Sequence, residues 1–449
     1  MRGLAGRIRR HLRDPDSRHR QVALGFLWVS LFVLMGKLAG AGKEMAVAWR
    51  FGVSAAVDAY VFVFNLISWP VAIWFGILGV VLLPLAARLR HDTPAELPRF
   101  RAELLGLTLA IGLALGLLAW WALPALLQAG WLGLSGAALT EALHMVGGLA
   151  LLAPLGLVAS LFSVWLLAAG HHRNTLFEAI PPLILLCALL LPWGAQPEAL
   201  VWGTVAGAAL QVAALAASLR LRGELSAPAV GHRSPVWPSL WGGIGIMALG
   251  QTLTTMTSLV DQFFAAGLGA GALATLSYAN RILALVLGLG ATAIGRATLP
   301  VFSDAQITGS AEVPSLALWW SMWMGALGLA VLLLGWLAAP WAVKLLFERG
   351  AFSAQDTLTV TTVLRYSLLQ VPFYFASLVL VSALAAQKRH SLIALSGSMN
   401  LLLKIPLSLL LVDSLQLNGL VLATALMYAA SAALLYSFVK RSRPERRRA

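Results

Sequence analysis

The sequence predicts an all-α integral membrane fold of about twelve transmembrane helices, arranged as two six-helix lobes with pseudo-two-fold symmetry. Three observations predict it: the composition, the placement of charge around the apolar runs, and an internal repeat. Hydrophobic residues make up 59% of the chain and charged residues 11%, against roughly 45–50% and 25% in soluble domains. A water-facing globule could not hide that much apolar surface. A bilayer accepts it directly, because lipid tails are as apolar as Leu.

In chain order, the apolar runs fall near 21–42, 58–86, 104–126, 143–169, 175–194, 198–219, 237–266, 271–302, 315–346, 358–386, 391–412 and 417–439. A span needs about 20 mostly apolar residues to cross roughly 30 Å of hydrocarbon. The longer runs are expected to tilt, kink or continue past the membrane, and 58–86 and 271–302 also admit a reading as two short helices each. The first run is too long for the apolar core of a cleavable signal and holds Lys37, so it is expected to be a span. The single Cys187 leaves no intrachain disulfide and no thiolate metal site, and no metal is expected. The loops are too short for a soluble catalytic domain, so transport is expected rather than catalysis. No nucleotide-binding loop is present, which argues against direct coupling to ATP.

The formal net charge of +14 is not spread as a nucleic-acid-binding surface would be. Arg2, Arg7, Arg9, Arg10, Arg13, Arg18 and Arg20 crowd the N-terminal tail, and Lys440, Arg441, Arg443, Arg446, Arg447 and Arg448 crowd the C-terminal one. Arg88, Arg90, Arg99 and Arg101, then Arg173, then Arg220, Arg222 and Arg233, then Lys388 and Arg389 fall in loops on the same side. The opposite loops carry Arg50, Lys344 and Arg349. This positive-inside pattern places both termini in the cytoplasm of a multi-pass inner-membrane protein. The loop 303–313 is an exception, with no basic residue.

The chain also repeats itself at a spacing of about 217 residues. Ala159-Ser160-Leu161, Val164 and Leu167-Ala168-Ala169 return as Ala376-Ser377-Leu378, Val381 and Leu384-Ala385-Ala386. Each copy precedes a short basic loop, and Leu83-Pro84 answers Leu299-Pro300. The repeat divides the chain into a basic tail 1–20, an N-lobe 21–220, a mobile linker 221–236, a C-lobe 237–439 and a basic tail 440–449. Two six-helix halves of like orientation are related by an axis along the membrane normal, with a cleft between them.

Ionisable side chains inside spans are costly and tend to line pathways, at about 2.5–3.5 kcal/mol for a helix centre on the insertion scale. The ones hardest to excuse are Lys37, Lys43 with Glu44 beside it, Asp58, Asp261, Arg281 with Asn280 beside it, Arg296, Arg365 and Lys404, of which Arg296 and Arg365 are expected nearer a membrane face. Lys37 and Lys43 lie about 240° apart around an ideal helix, so Gly36, Gly40 and Gly42 are expected to unwind it and turn both inward. Cations dominate the set. A cationic cleft suits an anionic substrate, and Arg and Lys suit phosphate or pyrophosphate in particular.

Several motifs sit on these residues. Gly36-Lys37-Leu38-Ala39-Gly40-Ala41-Gly42-Lys43-Glu44, Arg50-Phe51-Gly52 and Asp58-Ala59-Tyr60 resemble the first-helix signature of the MurJ/MviN family of lipid II flippases. Ser277-Tyr278-Ala279-Asn280-Arg281 resembles that family's Y-A-D-R-L. Leu346-Phe347-Glu348-Arg349-Gly350-Ala351-Phe352-Ser353-Ala354-Gln355-Asp356 resembles its L-F-E-R-G-x-F-T-x-x-D. The resemblance runs from about residue 20 to 439 and implies a MATE-like fold, alternating access and a cationic cavity for lipid pyrophosphate. It places the family's cavity arginines on Lys37, Lys43 and Arg281, with Asp58 and Asn280 beside them as substrate-binding candidates. Some members bind sodium through carboxylate and Asn groups of the seventh and eleventh helices. Here Asp261 and Asn400 match those groups, with Lys404 one turn after Asn400, where its ammonium is expected to replace a bound cation and pair with Asp261.

The chain also departs from the family. The second-helix arginine and acid are absent, since the stretch reads Ile67-Ser68-Trp69-Pro70 and then Phe75-Gly76-Ile77. The family usually has fourteen helices, and twelve are read here. The sequence therefore supports a flippase for an undecaprenyl-pyrophosphate-linked, lipid II-like precursor without a bound cofactor, with sodium, protons or membrane potential as coupling candidates. A flippase for another polyprenyl-linked glycan (O-antigen, capsule or exopolysaccharide) is the rival. A MATE-type antiporter and a membrane scaffold binding cell-wall or glycan synthesis enzymes stand further back.

Overall fold

The computed structural model describes residues 18–169, 174–307 and 313–442. Most of the two basic tails and the loop His171-His172-Arg173 lie outside the described residues. So does much of the loop 303–313.

Among the described residues every regular element is helical. The helices are α1 (Arg18–Phe51), α2 (Ala55–Asp92), α3 (Leu97–Gln128), α4 (Gly136–Leu149 and Leu152–Ala168, bent by 49°), α5 (Asn174–Phe177 and Ile180–Leu190) and α6 (Glu198–Arg220). They continue as α7 (Trp237–Ala266), α8 (Ala272–Ile307), α9 (Val313–Phe347) and α10 (Ala354–Leu368 and Val371–Ala386). The last helical stretch, His390–Arg441, is interrupted at Gln416 (φ 52°, ψ −132°), which separates α11 (390–415) from α12 (417–441). Each apolar run read from the sequence meets one of these twelve. With α11 and α12 counted as one stretch, eight described helices are long and apolar enough to cross a bilayer, and nine if bent α4 is one span. Along α9, Leu333, Leu337, Trp341 and Leu345 form an exposed apolar stripe one turn apart. Water would penalise such a stripe, and lipid does not.

Local chemistry explains the breaks. Pro84 lacks an N–H, and the π-turn Leu78–Leu82 just before it takes up the extra residue, so α2 runs through as one helix. Pro181 and Pro182 open the second piece of α5, where a missing N–H costs nothing. The interruption at Gln416 is a true reversal. Ser396 Oγ lies 2.9 Å from Ser431 Oγ, and Lys404 Nζ reaches Leu420 O at 3.0 Å. Both pairs straddle the turn, which makes α11 and α12 an antiparallel hairpin. By contrast, α1 stays helical through Gly36, Gly40 and Gly42. In a bilayer an unwound turn would leave backbone groups unpaired, and the lack of a side chain at Gly42 instead admits Leu186 of α5. Lys37 and Lys43 are therefore not turned to one face by a broken helix.

The chain forms two compact units. One comprises Met1–Ala46, Ile67–Trp121 and Val146–Met247, and the other Val47–Leu66, Ala122–Met145 and Ala248–Ala449. In the first unit the segment 221–236, expected to be a mobile linker, is strapped to α3. Glu103, 4% exposed, accepts hydrogen bonds from the backbone N–H of Arg233 (3.1 Å) and Ser234 (3.0 Å) and from Trp237 Nε1 (2.7 Å). Ala229 N donates to Ala102 O at 2.9 Å, and Gly106 leaves the room the strap needs, since a Cβ there would sit 2.1 Å from Ala229 O. Glu224 joins Arg90 and Arg101, each at 2.8 Å, and Trp241 Nε1 donates to His232 Nε2 at 2.8 Å. Burial would raise the Glu224 carboxyl, but the hydrogen bonds from Arg90 and the charge of Arg101 outweigh it and hold it below the usual carboxylate range.

Candidate functional site

The second unit contains three neighbouring arrangements: a scaffold joint, a polar pocket and a buried ion pair. The joint gathers the motifs that carry the family resemblance. α1 ends at Gly52 (φ 56°), where a Cβ would lie 2.4 Å from Ala351 O. Trp49 O accepts from Ala351 N at 2.8 Å, and Gly52 O accepts from Tyr278 Oη at 2.9 Å. Tyr278, Phe347 and Phe352 pack ring on ring, with centroids 5.0–5.8 Å apart. Ser353 and Asp356 form a reciprocal capping box that starts α10, and Thr357 Oγ1 donates to Glu348 at 2.7 Å.

Asp58 belongs to this joint. It is 1% exposed, and its two carboxylate oxygens accept from the backbone N–H of Gly271 and of Ala274, the latter at 2.6 Å. Expected at the substrate, it instead caps the N-terminus of α8, where the orphan N–H groups and the helix dipole favour a negative charge. An acid inside an apolar helix looks like a pathway residue until the helix end it faces is known.

The polar pocket, of about 260 Å³, lies just beyond that cap. Each wall is one helix face. α8 supplies Ser277, Asn280, Arg281 and Ala284, and α7 supplies Ser258, Asp261 and Gln262, all at helical spacing. α2 supplies Val61 and Asn65, one turn apart. Thus Asn280 and Arg281, expected at the substrate, share a pocket with Asp261, expected at a coupling site. Asn65, Ser258, Gln262 and Ser277 were not picked out by sequence reasoning. Ser258 lies three residues before Asp261 and Ser277 four before Arg281, a signal that becomes visible only once those two are known to face one cavity; Asn65, on α2, and Gln262, next to Asp261, carry no such spacing. Gln262 Oε1 is buried without a hydrogen-bond partner among the described residues.

Behind Asp261 lies the ion pair. Lys404 is 0% exposed, and its Nζ lies 2.5 Å from Asp261 Oδ1. The same ammonium donates to Leu420 O at 3.0 Å and to Thr424 Oγ1. One side chain of α11 thereby ties α7 to α12. Asn400 lies one turn before Lys404, and its buried Oδ1 has no hydrogen-bond partner among the described residues. In the first unit, Lys37 is exposed on α1, while Lys43 is half-buried and 2.7 Å from Glu44. Arg296 is exposed on α8, and Arg365 Nε donates to Trp336 O at 3.1 Å.

Comparison with known proteins gives this arrangement a family. A family model described as "Lipid II flippase MurJ" matches residues 47–446. A Bdellovibrio bacteriovorus protein described as a probable lipid II flippase MurJ is 28% identical over 254 residues, which are 55% of this chain and 47% of that protein. A Helicobacter pylori protein of the same description is 33% identical over 183 residues, 40% of this chain and 39% of its own. The chain thus spans about half or less of the length of these curated relatives. Among solved structures, a lipid II flippase MurJ in an inward closed conformation superposes with a TM-score of 0.79 at 17% identity, covering 92% of this chain and 87% of that one. An inward-facing multidrug resistance MATE family transporter gives 0.71 at 17% identity, covering 90% and 94%. At that identity the two structures show a MATE-like fold.

Proposed function

We propose, because this chain belongs to the MurJ family of lipid II flippases, that it carries a polyprenyl-pyrophosphate-linked cell-wall precursor across the bacterial inner membrane by alternating access. The observation that carries this reading is Arg281 on the wall of a polar pocket in an apolar helical bundle. A guanidinium there offers a planar fork to a phosphate. Lys37, exposed on α1, supplies further positive charge, Lys43 contributes as the pair it forms with Glu44, and the neutral amides of Asn65, Gln262 and Asn280 supply donors and acceptors for a saccharide. The polyprenyl tail stays in the bilayer while the halves 21–220 and 237–439 rock about the head group. Both termini stay cytoplasmic. The membrane potential, worth about 2.3 kcal/mol per charge per 100 mV, helps reset the empty cationic carrier. Binding an anion through exposed cations weakens as salt rises.

A second reading, a flippase for a different polyprenyl-linked glycan, is favoured by one observation. From Ala55 to Leu83, α2 carries no basic residue, so the second-helix arginine of the family signature has no counterpart. Proteoliposomes loaded with labelled polyprenyl-pyrophosphate lipids separate the two. Rapid exposure of a lipid II-like head group at the opposite leaflet supports the first. Exposure only of lipids bearing another saccharide supports the second, and exposure of neither removes both.

A further inference from the structure

We propose that the Lys404 ammonium is a tethered stand-in for a bound monovalent cation, so that the junction of α7, α11 and α12 is assembled without a free ion. The inference does not depend on which lipid is carried. Its first support is the donor set. Lys404 Nζ is enclosed at 0% exposure by a carboxylate oxygen (Asp261 Oδ1, 2.5 Å), a backbone carbonyl oxygen (Leu420 O, 3.0 Å) and a hydroxyl oxygen (Thr424 Oγ1). Carboxylate, carbonyl and hydroxyl oxygens are the ligand types that hard cations take. No nitrogen or sulfur atom is among them.

The second support is an unsatisfied acceptor. The ammonium donates to Leu420 O and Thr424 Oγ1 and is held to Asp261 Oδ1 by charge. Asn400, on the same face of α11 one turn earlier, is left with a buried Oδ1 that has no hydrogen-bond partner among the described residues. The face of α11 that carries the ammonium thus also carries a buried acceptor oxygen that no described group satisfies.

The third support is charge. Asp261 needs one positive charge at this place, and the chain provides it covalently. The sodium implied by the family resemblance does not fit these residues, because its position is taken. A sodium gradient then has no binding site here to act on.

The full-length protein, purified in detergent, tests this by thermal unfolding in NaCl, KCl and choline chloride at equal ionic strength. The wild type is expected to give one Tm in all three, and a cation-selective rise would overturn the proposal. Lys404→Ser vacates the enclosure while keeping its oxygens. Its Tm is expected to fall in choline chloride and to recover saturably with sodium or another small monovalent cation. A folded Lys404→Ser protein indifferent to every cation would also overturn the proposal. If Lys404→Ser does not fold, Asp261→Asn/Lys404→Met removes both charges. Recovery of a folded, cation-indifferent protein supports the stand-in, and failure to recover contradicts it.

Discussion

Asp58 and Asp261 are two aspartates of the same unit, both inside apolar helices, and they are neutralised by different means. Asp58 is met by the backbone N–H groups of Gly271 and Ala274. Those groups cannot leave without unwinding α8, so the contact is a fixed joint. Asp261 is met by a side chain, Lys404, that reaches across from another helix. Its other flank faces the polar pocket that holds Arg281. The residues that identify the family, including Asp58, Tyr278, Gly350 and Ser353, mostly build the joint. The charged side chains of Asp261, Arg281 and Lys404 stand next to it, on α7, α8 and α11. Motif density therefore marks the scaffold here, and the polar pocket borders it.

This contrast can be broken at either end. Lys404→Met leaves a carboxylate with no counter-charge, and a broken buried pair costs about 3–5 kcal/mol, the largest loss expected and readable by thermal or denaturant unfolding in detergent. Adding Asp261→Leu removes the stranded charge and should restore most of that loss, because replacing a whole buried pair by apolar groups is often nearly neutral. Asp58→Asn keeps the shape but turns an N–H donor toward the backbone N–H groups it once accepted. A loss of about 1–3 kcal/mol is expected by the same unfolding measurement. Ser353→Ala removes half of the capping box on α10, at a cost of about 1 kcal/mol. If the order of these effects reverses, the distinction between joint and pair fails.

The smallest effect belongs to the other unit. The folded Glu224 carboxyl is depressed, so its contribution to the strap is present above the ordinary carboxylate range. It fades as pH falls through the lowered folded value. Glu224→Gln should lower stability at neutral pH and converge with wild type on the acid side, as stability measured against pH would show.

The helices were legible because about twenty apolar residues in a row leave few alternatives. The α11–α12 reversal was legible too, since Asp413, Ser414, Gln416 and Asn418 interrupt the apolar run where the chain turns. The strap was not. A segment rich in Pro, Gly and Arg reads as mobile, and the carboxylate that holds it sits on α3, about 130 residues away. A carboxylate that accepts from backbone N–H groups leaves no sequence pattern, because every non-proline residue has one. The same blindness placed Asp58 at the substrate. Arg281 and Asp261 were legible as charges out of place. Asn65 and Gln262 were not, because a neutral amide in a helix becomes informative only when its neighbours across the pocket are known.

The most direct test of the central claim is the flipping rate of Arg281→Gln in proteoliposomes, beside wild type and with thermal stability measured on the same preparations. A protein as stable as wild type that no longer moves the pyrophosphate-linked lipid is the predicted result. Flipping at the wild-type rate by a folded Arg281→Gln protein would contradict it.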